Sequence, residues 1–449
     1  MRETQIVAPE NGFEAYKRAA ASDRFREMNH VMEYFRYNDI LHYSSVDSHG
    51  LVISYTEYDA ANACYVTAIA ILPLAPGVKS AAQIRAAKDT WDVIFRTQPC
   101  LPLKKEWRAI EGHMAGGRMA FSPPTTLFLG SGEYHWDGIY ASKALAQRTD
   151  NDYGKVLAID IATRQSRQVS IGNRNVQGIA LDSAQQLWIV EHGLRGGDEL
   201  NRVRPGANFG WPKETLGTLY NKTPVPGTLS YGRHDSFVAP TFAWLPSIAT
   251  SALTLVQGFH ESWDGDLLVG TLRDQSLHRV RIKEGRVLFA ERIPVDKRIR
   301  YVHQHTGGQL VLWTDDRYLL FITVAGQSFV RGFVDQYISS RGYDDRQQRR
   351  IRAALDSCSQ CHSLEPGDHQ NAPSLGGIFG TAVAATSYAG YSTGLKARGG
   401  RWSAKALQAY LQDPNAYAPG TMMPPMPDLD QWTITEIVAL LEALSLAAE

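Results

Sequence analysis

The sequence predicts a mainly β domain followed by a small all-α domain, and three observations predict it. From about Ile40 onward, short apolar runs alternate with turns rich in Gly, Asp, Asn and Pro. They include LVISY from Leu51, CYVTAI from Cys64, TLFLG from Thr126, KVLAID from Lys155, LWIV from Leu187, DLLVG from Asp266, HRVRI from His278 and QLVLW from Gln309. Second, no long helical pattern separates these runs, which argues against a parallel sheet with crossover helices. Third, the texture changes near residue 330. There the polar stretch RGYDDRQQRR leads into IRAAL and then into two helical patterns, SAKALQAYL from Ser403 and ITEIVALL from Ile434. Ser403 and Thr433 stand where N-caps are expected. Spacing alone leaves sandwich, barrel and propeller open for the β part.

The same pass along the chain divides it into four segments. Residues 1–34 are an N-terminal helical segment, since Phe13 to Phe35 is rich in helix formers and free of proline. Residues 35–330 are the β domain, 331–349 a linker and 350–449 the helical domain, with the boundary between 325 and 345.

Composition narrows the function classes. The chain has 449 residues, 44% hydrophobic and 20% charged, which describes a folded protein and not a disordered one. Lys+Arg and Asp+Glu are both 46, so charge balance points to neither nucleic acid nor an anionic membrane surface. The apolar run AIAILPLAP, Ala68 to Pro76, is strand-sized and broken by prolines, so no integral membrane segment is expected. The opening residues MRETQIVAPE contain no apolar core of an export signal.

Two of the four cysteines stand in the run SCSQCHS, residues 357 to 363. Cys-x-x-Cys-His is the attachment pattern of a c-type haem. Cys358 and Cys361 can reach two vinyl groups from one helical turn, and His362 can then ligate the iron. A redox dithiol would be expected in a βα context that is absent here. A zinc site would need more ligands, and Cys64 and Cys100 lie far away in the β domain. The proline-stiffened stretch PGTMMPPMP, Pro419 to Pro427, offers methionine as the sixth ligand, whose thioether raises the iron potential.

Residues 350 to 446 resemble a class I cytochrome c. The carriers of the resemblance are the haem motif, PSLGGIFG from Pro373, Trp402, YLQDP from Tyr410 and PGTMM from Pro419. In this register Met423 is the axial ligand in preference to Met422 and Met426. The resemblance implies haem attachment outside the bacterial cytoplasmic membrane, hence a periplasmic location. A Cys64–Cys100 disulfide is permitted there, and two free buried thiols are equally consistent with the sequence.

The β domain carries no G-x-G-x-x-G between strand and helix, so a nicotinamide or flavin in the usual fold is not expected. Polar groups recur beside its strands: His113, Arg174, Asn175, Asp198, Arg273, Arg298 and Arg300. Each alone is an ordinary solvated or structural residue. Together they suit a polyanionic cofactor gripped by arginines, with histidine as proton acceptor.

Residues 110 to 325 resemble the pyrroloquinoline-quinone (PQQ) dependent soluble glucose and aldose-sugar dehydrogenases. The resemblance rests on HMAGGR from His113, RNVQGIA from Arg174, LWIVEHGLRGGDELN from Leu187, NFGWP from Asn208, WLPSIA from Trp244, DLLVG leading to Arg273, and RIR from Arg298. It implies a six-bladed β-propeller. It makes His113 the base for the sugar hydroxyl, Arg174 the partner of a reduced quinone oxygen and Asn175 a quinone-lining residue. Gly193 and Leu194 become the carbonyl ligands of calcium, with Asp198 a nearby carboxylate, and Arg298 and Arg300 grip cofactor carboxylates. Arg273 stands where the glucose enzymes carry lysine, and Leu194 where the family carries proline. The segment from His113 to Arg118 is one residue longer than in the glucose enzymes. Residues 1 to 100 fit the first blade poorly, so an altered or degenerate first blade is expected.

The combined expectation is a periplasmic quinohaemoprotein dehydrogenase using PQQ, calcium and covalent haem c. It would oxidise an aldose or related alcohol and pass electrons to an external redox protein or respiratory-chain acceptor. The alternative is a non-enzymatic electron-transfer cytochrome whose β domain only binds a partner.

Overall fold

In the computed structural model of the chain, the described residues are 5–20, 35–45, 48–75, 78, 84–103, 112–305, 308–324, 329–427 and 429–448. A first helix, α1, spans Phe13–Ala20. The remainder of the helix expected from Phe13 to Phe35 falls at residues 21–34, outside the described residues.

The apolar runs form five blade-like sheets, each a chain-order meander of antiparallel strands. Sheet A contains Tyr37–Ser44, His49–Asp59, Cys64–Pro73 and Asp92–Arg96, and Leu101–Pro102 also pairs with its third strand. Sheet B contains Gly116–Ser122, Thr126–Ser131, Lys155–Asp160 and Ser166–Ile171, with Ala207–Asn208 added in parallel. Sheet C contains Val176–Leu181, Leu187–Glu191, Asp198–Arg202 and Phe242–Trp244. Sheet D contains Thr250–Leu255, Leu267–Thr271, Ser276–Lys283 and Arg286–Pro294. Sheet E has three strands, Ile299–Gln304, Leu310–Thr314 and Leu319–Ile322.

Strands of such sheets are buried on both faces, because each sheet packs against two neighbours. The clusters follow that rule. Tyr43, Val52 and Ile69 of sheet A meet Met119, Leu129 and Leu157 of sheet B. Val156 and Val169 of B meet Val176 and Ile189 of C. Trp188 and Val190 of C meet Val269 and Val280 of D, and Leu268 and Leu277 of D meet Val302 and Leu312 of E. Each such buried side chain contributes about 1.5–3 kcal/mol relative to exposure. The resemblance implies six blades; the described residues form five. The far face of sheet E leaves Trp313 53% and Phe321 61% exposed. Sheet A is not degenerate. Its second and third strands pair over ten positions, and the Cys64–Cys100 disulfide ties the third strand to the segment that follows the fourth.

The first strands of the five sheets lie side by side around the axis. Every one of them shifts register at its start, between Tyr37 and Asp39, Gly116 and Arg118, Val176 and Gly178, Thr250 and Ala252, and Ile299 and Tyr301. A bulge leaves its extra residue outside the ladder. Three of those stranded carbonyls turn to one guanidinium. Arg118 donates through Nε to Gln177 O at 3.0 Å, and through Nη2 to Ser251 O at 2.9 Å and Arg300 O at 3.0 Å. Its charge faces Asp39 of sheet A at 3.6 Å and lies over the ring of Tyr301, 5.0 Å from the centroid.

The helical domain begins earlier than its sequence indicates. Helix α2, Phe329–Ser340, occupies most of the segment expected to be a linker at 331–349, and α3, Asp345–Cys358, follows after a four-residue turn. Val330, Phe333, Val334, Tyr337 and Ile338 recur at helical spacing and bury into the domain core, so the segment is structural. Asp344 and Gln347 form a capping box at the start of α3. Then come α4, Thr393–Arg398; α5, Ala404–Gln412; α6, Pro414–Tyr417; and α7, Gln431–Ala448. Ser403 caps α5 as expected. Helix α7 starts two residues before Thr433, whose N–H is taken by Asp430. Among the described residues no helix is long and apolar enough to cross a membrane.

Sheet B holds one fully buried ammonium. Lys155 Nζ donates to the carbonyls of Leu145, Ala146 and Tyr153 at 2.7–3.1 Å. Burial drives its pKa down to about 7, opposed only partly by Asp152 and Asp150. The unfolded chain keeps this lysine protonated to about pH 10.4. Between those values the unfolded state holds the extra proton, so stability rises with pH. Denaturant unfolding of the β domain should therefore show a rise from pH 7 to 10 of up to about 1.4 kcal/mol per unit. Lys155→Met should lack it, and an unchanged slope in that variant would refute the assignment.

Candidate functional site

The expected site residues fall into two groups, one at the bulged ends of the first strands and one in the helical domain. In the first group Arg174 and Asn175 immediately precede the first strand of sheet C, and the loop 192–197 follows its second strand. Arg174 is buried. Its Nη1 donates to His192 O at 3.2 Å and Gly193 O at 2.5 Å, and its guanidinium lies 5.0 Å over the Trp211 ring. Asn175 Oδ1 accepts from Gly116 N at 3.1 Å, joining this loop to sheet B three residues beyond His113. The His113 ring stands 6.1 Å from that of His135, edge to face.

Loop 192–197 is built to turn tightly. A Cβ at Gly193 would collide with the carbonyl oxygens of Gly196 and Gly197, so only glycine fits. Asp198 holds the loop from behind. Oδ1 accepts from Gly193 N at 2.9 Å, and Oδ2 accepts from the amides of Ile248, Ala249 and Thr250 at 2.6–3.4 Å. Both oxygens accept from four backbone amides, so Asp198 positions the loop. It joins sheet C to the 248–250 segment, which in turn receives Arg273 N through Ile248 O at 3.1 Å.

The sequence-level reading missed His192. It is half-buried between Arg174, Asn175 and Thr250, and its Nε2 stands 2.6 Å from Thr250 O. A carbonyl can only accept, so the proton is on Nε2, and Nδ1 faces Asn175 Nδ2 at 3.5 Å. Burial pushes its pKa down, Arg174 and Arg300 add to that, and Asp198 opposes it. Its position beside Gly193 in the run EHGLRGG was the available signal.

The arginines gather at the ends of sheets D and E. Arg298 immediately precedes the first strand of sheet E, and Arg300 is the residue its bulge leaves outside the ladder. Both pair with Asp315, a second residue that the sequence-level reading missed. Arg298 also reaches Leu272 O at 3.4 Å, next to Arg273. The Arg273 side chain is exposed and makes no hydrogen bond or ion pair among the described residues. Two guanidiniums thus share one carboxylate and a third stands near by without one, a donor set suited to a multiply charged anion.

The fit of each expected cofactor can be judged from these contacts. Arg174 Nε and Trp211 Nε1 are buried and find no acceptor in the protein. They line a cavity of about 10 Å³, room for one water or one ligand oxygen and not for a whole organic group. An anionic quinone fits this set if it presents an oxygen at that opening and carboxylates to the arginines. For calcium the protein presents two carbonyl oxygens. Gly193 O accepts from Arg174 and Leu194 O from Ser247 Oγ at 3.2 Å, each with a second lone pair, while the ion takes six to eight oxygens. No cluster of three His, Cys, Asp or Glu suited to a metal occurs among the described residues.

The second group fits haem. Cys358 closes α3, and the following turn, Cys361 N to Cys358 O at 3.2 Å, brings both thiols to one end of the helix. Both are free of disulfide. His362 Nδ1 lies 2.6 Å from Pro373 O. That carbonyl fixes the proton on Nδ1 and leaves the Nε2 lone pair for a metal, the usual outer-shell arrangement of a ligating histidine. Burial lowers the His362 pKa and the Pro373 bond opposes it, so the ring is held neutral. Met423 packs on the domain core, whereas Met422 is 72% exposed.

Fold and site together define a β-propeller dehydrogenase scaffold joined to a cytochrome c-like domain. The chain belongs to the glucose/sorbosone dehydrogenase family, whose model matches residues 50–320. It is 30% identical over 243 residues to the aldose sugar dehydrogenase YliI of Escherichia coli, covering 50% of this chain and 61% of that protein. A crystal structure of a glucose dehydrogenase matches with a TM-score of 0.54 at 28% identity, over 64% of this chain and 84% of that one. Over 67 residues the chain is 39% identical to cytochrome c of Ginkgo biloba, covering 15% of this chain and 59% of that protein. It spans about 60% of the length of the curated relatives it matches.

The contrast between the two methionines is testable. Met423→Ala should keep covalent haem but lower its reduction potential by on the order of 0.1 V, within the roughly 0.8 V range that axial ligands command. Met422→Ala should leave potential and visible spectrum unchanged. Redox titration showing the reverse would move the ligand to Met422.

Proposed function

We propose that this protein is a quinohaemoprotein dehydrogenase acting outside the bacterial cytoplasmic membrane. It oxidises an aldose sugar or related alcohol and delivers the electrons through haem c to an external redox protein or respiratory-chain acceptor. The observation that carries the reading is the union, in one chain, of an arginine-rich site on a sugar-dehydrogenase propeller and a Cys-x-x-Cys-His turn with its histidine Nε2 left open. The Cys64–Cys100 disulfide supports an oxidising compartment.

PQQ would supply a two-electron acceptor for hydride. Arg298, Arg300 and Arg273 would hold its carboxylates. Arg174 Nε would donate to an oxygen at the opening beside Trp211, with its guanidinium fixed by Gly193 O and the Trp211 ring. His113 would take the sugar hydroxyl proton on an imidazole nitrogen. Asn175 ties that side of the site to sheet B through Gly116, which keeps His113 and Arg174 in register. The protein on its own offers calcium two engaged backbone oxygens, so no step is placed on the ion. A complete six-bladed ring would need a further blade beside sheet E, where Trp313 and Phe321 are uncovered.

The direct experiment adds PQQ, with and without calcium, to purified haem-loaded protein and follows the reduced haem band on addition of aldoses. Sugar-dependent reduction that needs PQQ supports the proposal. Haem that no aldose or alcohol reduces contradicts it. His113→Ala should retain PQQ binding and slow sugar-driven reduction by about 10²–10⁴-fold, the usual contribution of a general base. Undiminished turnover would remove His113 from that role.

A further inference from the structure

Sheet E ends its second strand at Thr314, and the next two residues are acidic. They divide the neighbouring cations between them. Asp316 takes Lys297 at 2.6 Å. Asp315 takes both arginines, accepting from Arg298 Nε on Oδ2 at 2.9 Å, from Arg300 Nε on Oδ1 at 2.8 Å and from Arg300 Nη2 on Oδ2 at 3.0 Å. Its backbone N–H donates to Arg298 O at 2.9 Å, which fixes the carboxylate opposite the pair.

The edges that are used matter. A guanidinium offers a side edge, Nε with one Nη, and an end formed by its two terminal nitrogens. Asp315 occupies Arg300 by the side edge and Arg298 through Nε, so the carboxylate does not grip the end of either guanidinium, although Arg298 Nη1 also reaches Leu272 O at 3.4 Å. Two arginines flanking Ile299 at a bulged strand start repel each other, and the backbone there does not hold them parallel. A carboxylate placed between them removes the repulsion and fixes both stems. Burial alone would raise the Asp315 pKa, but the bonds from Arg298 and Arg300 override it and hold the acid ionised. The cluster still carries excess positive charge, because Arg273 beside it is unpaired among the described residues.

We propose that Asp315 is the positioning residue of the anion site: it aligns Arg298 and Arg300 so that the donors it leaves unused meet a second carboxylate together. This rests on the reading of these arginines as the grip on an anionic cofactor, and it adds a sign. A positioning carboxylate strengthens anion binding when present. A carboxylate that merely competed with the ligand would weaken it.

The test measures binding by calorimetry, with PQQ and with citrate as a quinone-free polycarboxylate, to the haem-loaded full chain and its Asp315→Asn variant. Affinity for both anions should fall about tenfold or more in the variant. The haem spectrum of the variant, which reports on the other domain, should not change. Equal or tighter binding by the variant overturns the inference, as does wild-type protein that binds neither anion. If citrate binding depends on Asp315 while PQQ does not bind, the cofactor reading fails and the positioning role stands. If PQQ binds and Asp315→Asn has no effect, the reverse holds.

Discussion

One guanidinium holds the β domain at its axis. A bulge at the start of each first strand frees a carbonyl from its ladder, and a buried carbonyl without a donor costs about 1–3 kcal/mol. Arg118 collects three of these at once, from Gln177, Ser251 and Arg300, and sets its charge against Asp39 of sheet A. The four other first strands are thereby joined to sheet B by a single side chain. Asp39 is the counterpart of that arrangement. Its burial raises the carboxyl pKa, the Arg118 charge opposes this, and Met119 N–H supports the ionised form.

The site inherits its geometry from the same contacts. Gln177 is two residues from Asn175, Ser251 follows the Thr250 that receives His192, and Arg300 is itself one of the proposed anion-binding residues. Bulges aim side chains away from the ladder, and functional residues commonly sit beside them. The loop at Gly193 is then locked from two sides, by Arg174 in front and by Asp198 behind. Rigid strands therefore hold the proposed proton acceptor and the cations, and the excess positive charge lies at the ends of sheets D and E.

Much of this was legible in the residues. The spacing of the apolar runs indicated an all-β domain, and the Cys-x-x-Cys-His run with PGTMM indicated the helical one. Ser403 was readable as a cap. Three kinds of feature were not legible. The helix at Phe329–Ser340 was hidden because its stripe from Val330 to Ile338 abuts a strongly polar segment that resembles a linker. The amides that Asp198 holds were not readable because a carboxylate's partners are set by tertiary contacts with residues fifty positions away. Arg118 and Asp315 gave no signal of their own, since charged residues within β patterns usually face solvent. The count of sheets was a matter of resemblance and not of periodicity, and the described residues form five of the six.

The central claim is that Arg118 ties the first strands of the five sheets together and that the site depends on this tie. Arg118→Met keeps most of the volume and removes the donors and the charge. Equilibrium denaturant unfolding, following the β-domain transition separately from the haem band, measures its consequence. The account predicts a loss of about 3–5 kcal/mol in the β transition, the usual penalty for leaving a buried acid without its partner, and an unchanged haem transition. It also predicts that adding Asp39→Asn recovers part of the loss. A variant as stable as the parent protein, with its anion affinity intact, would contradict it.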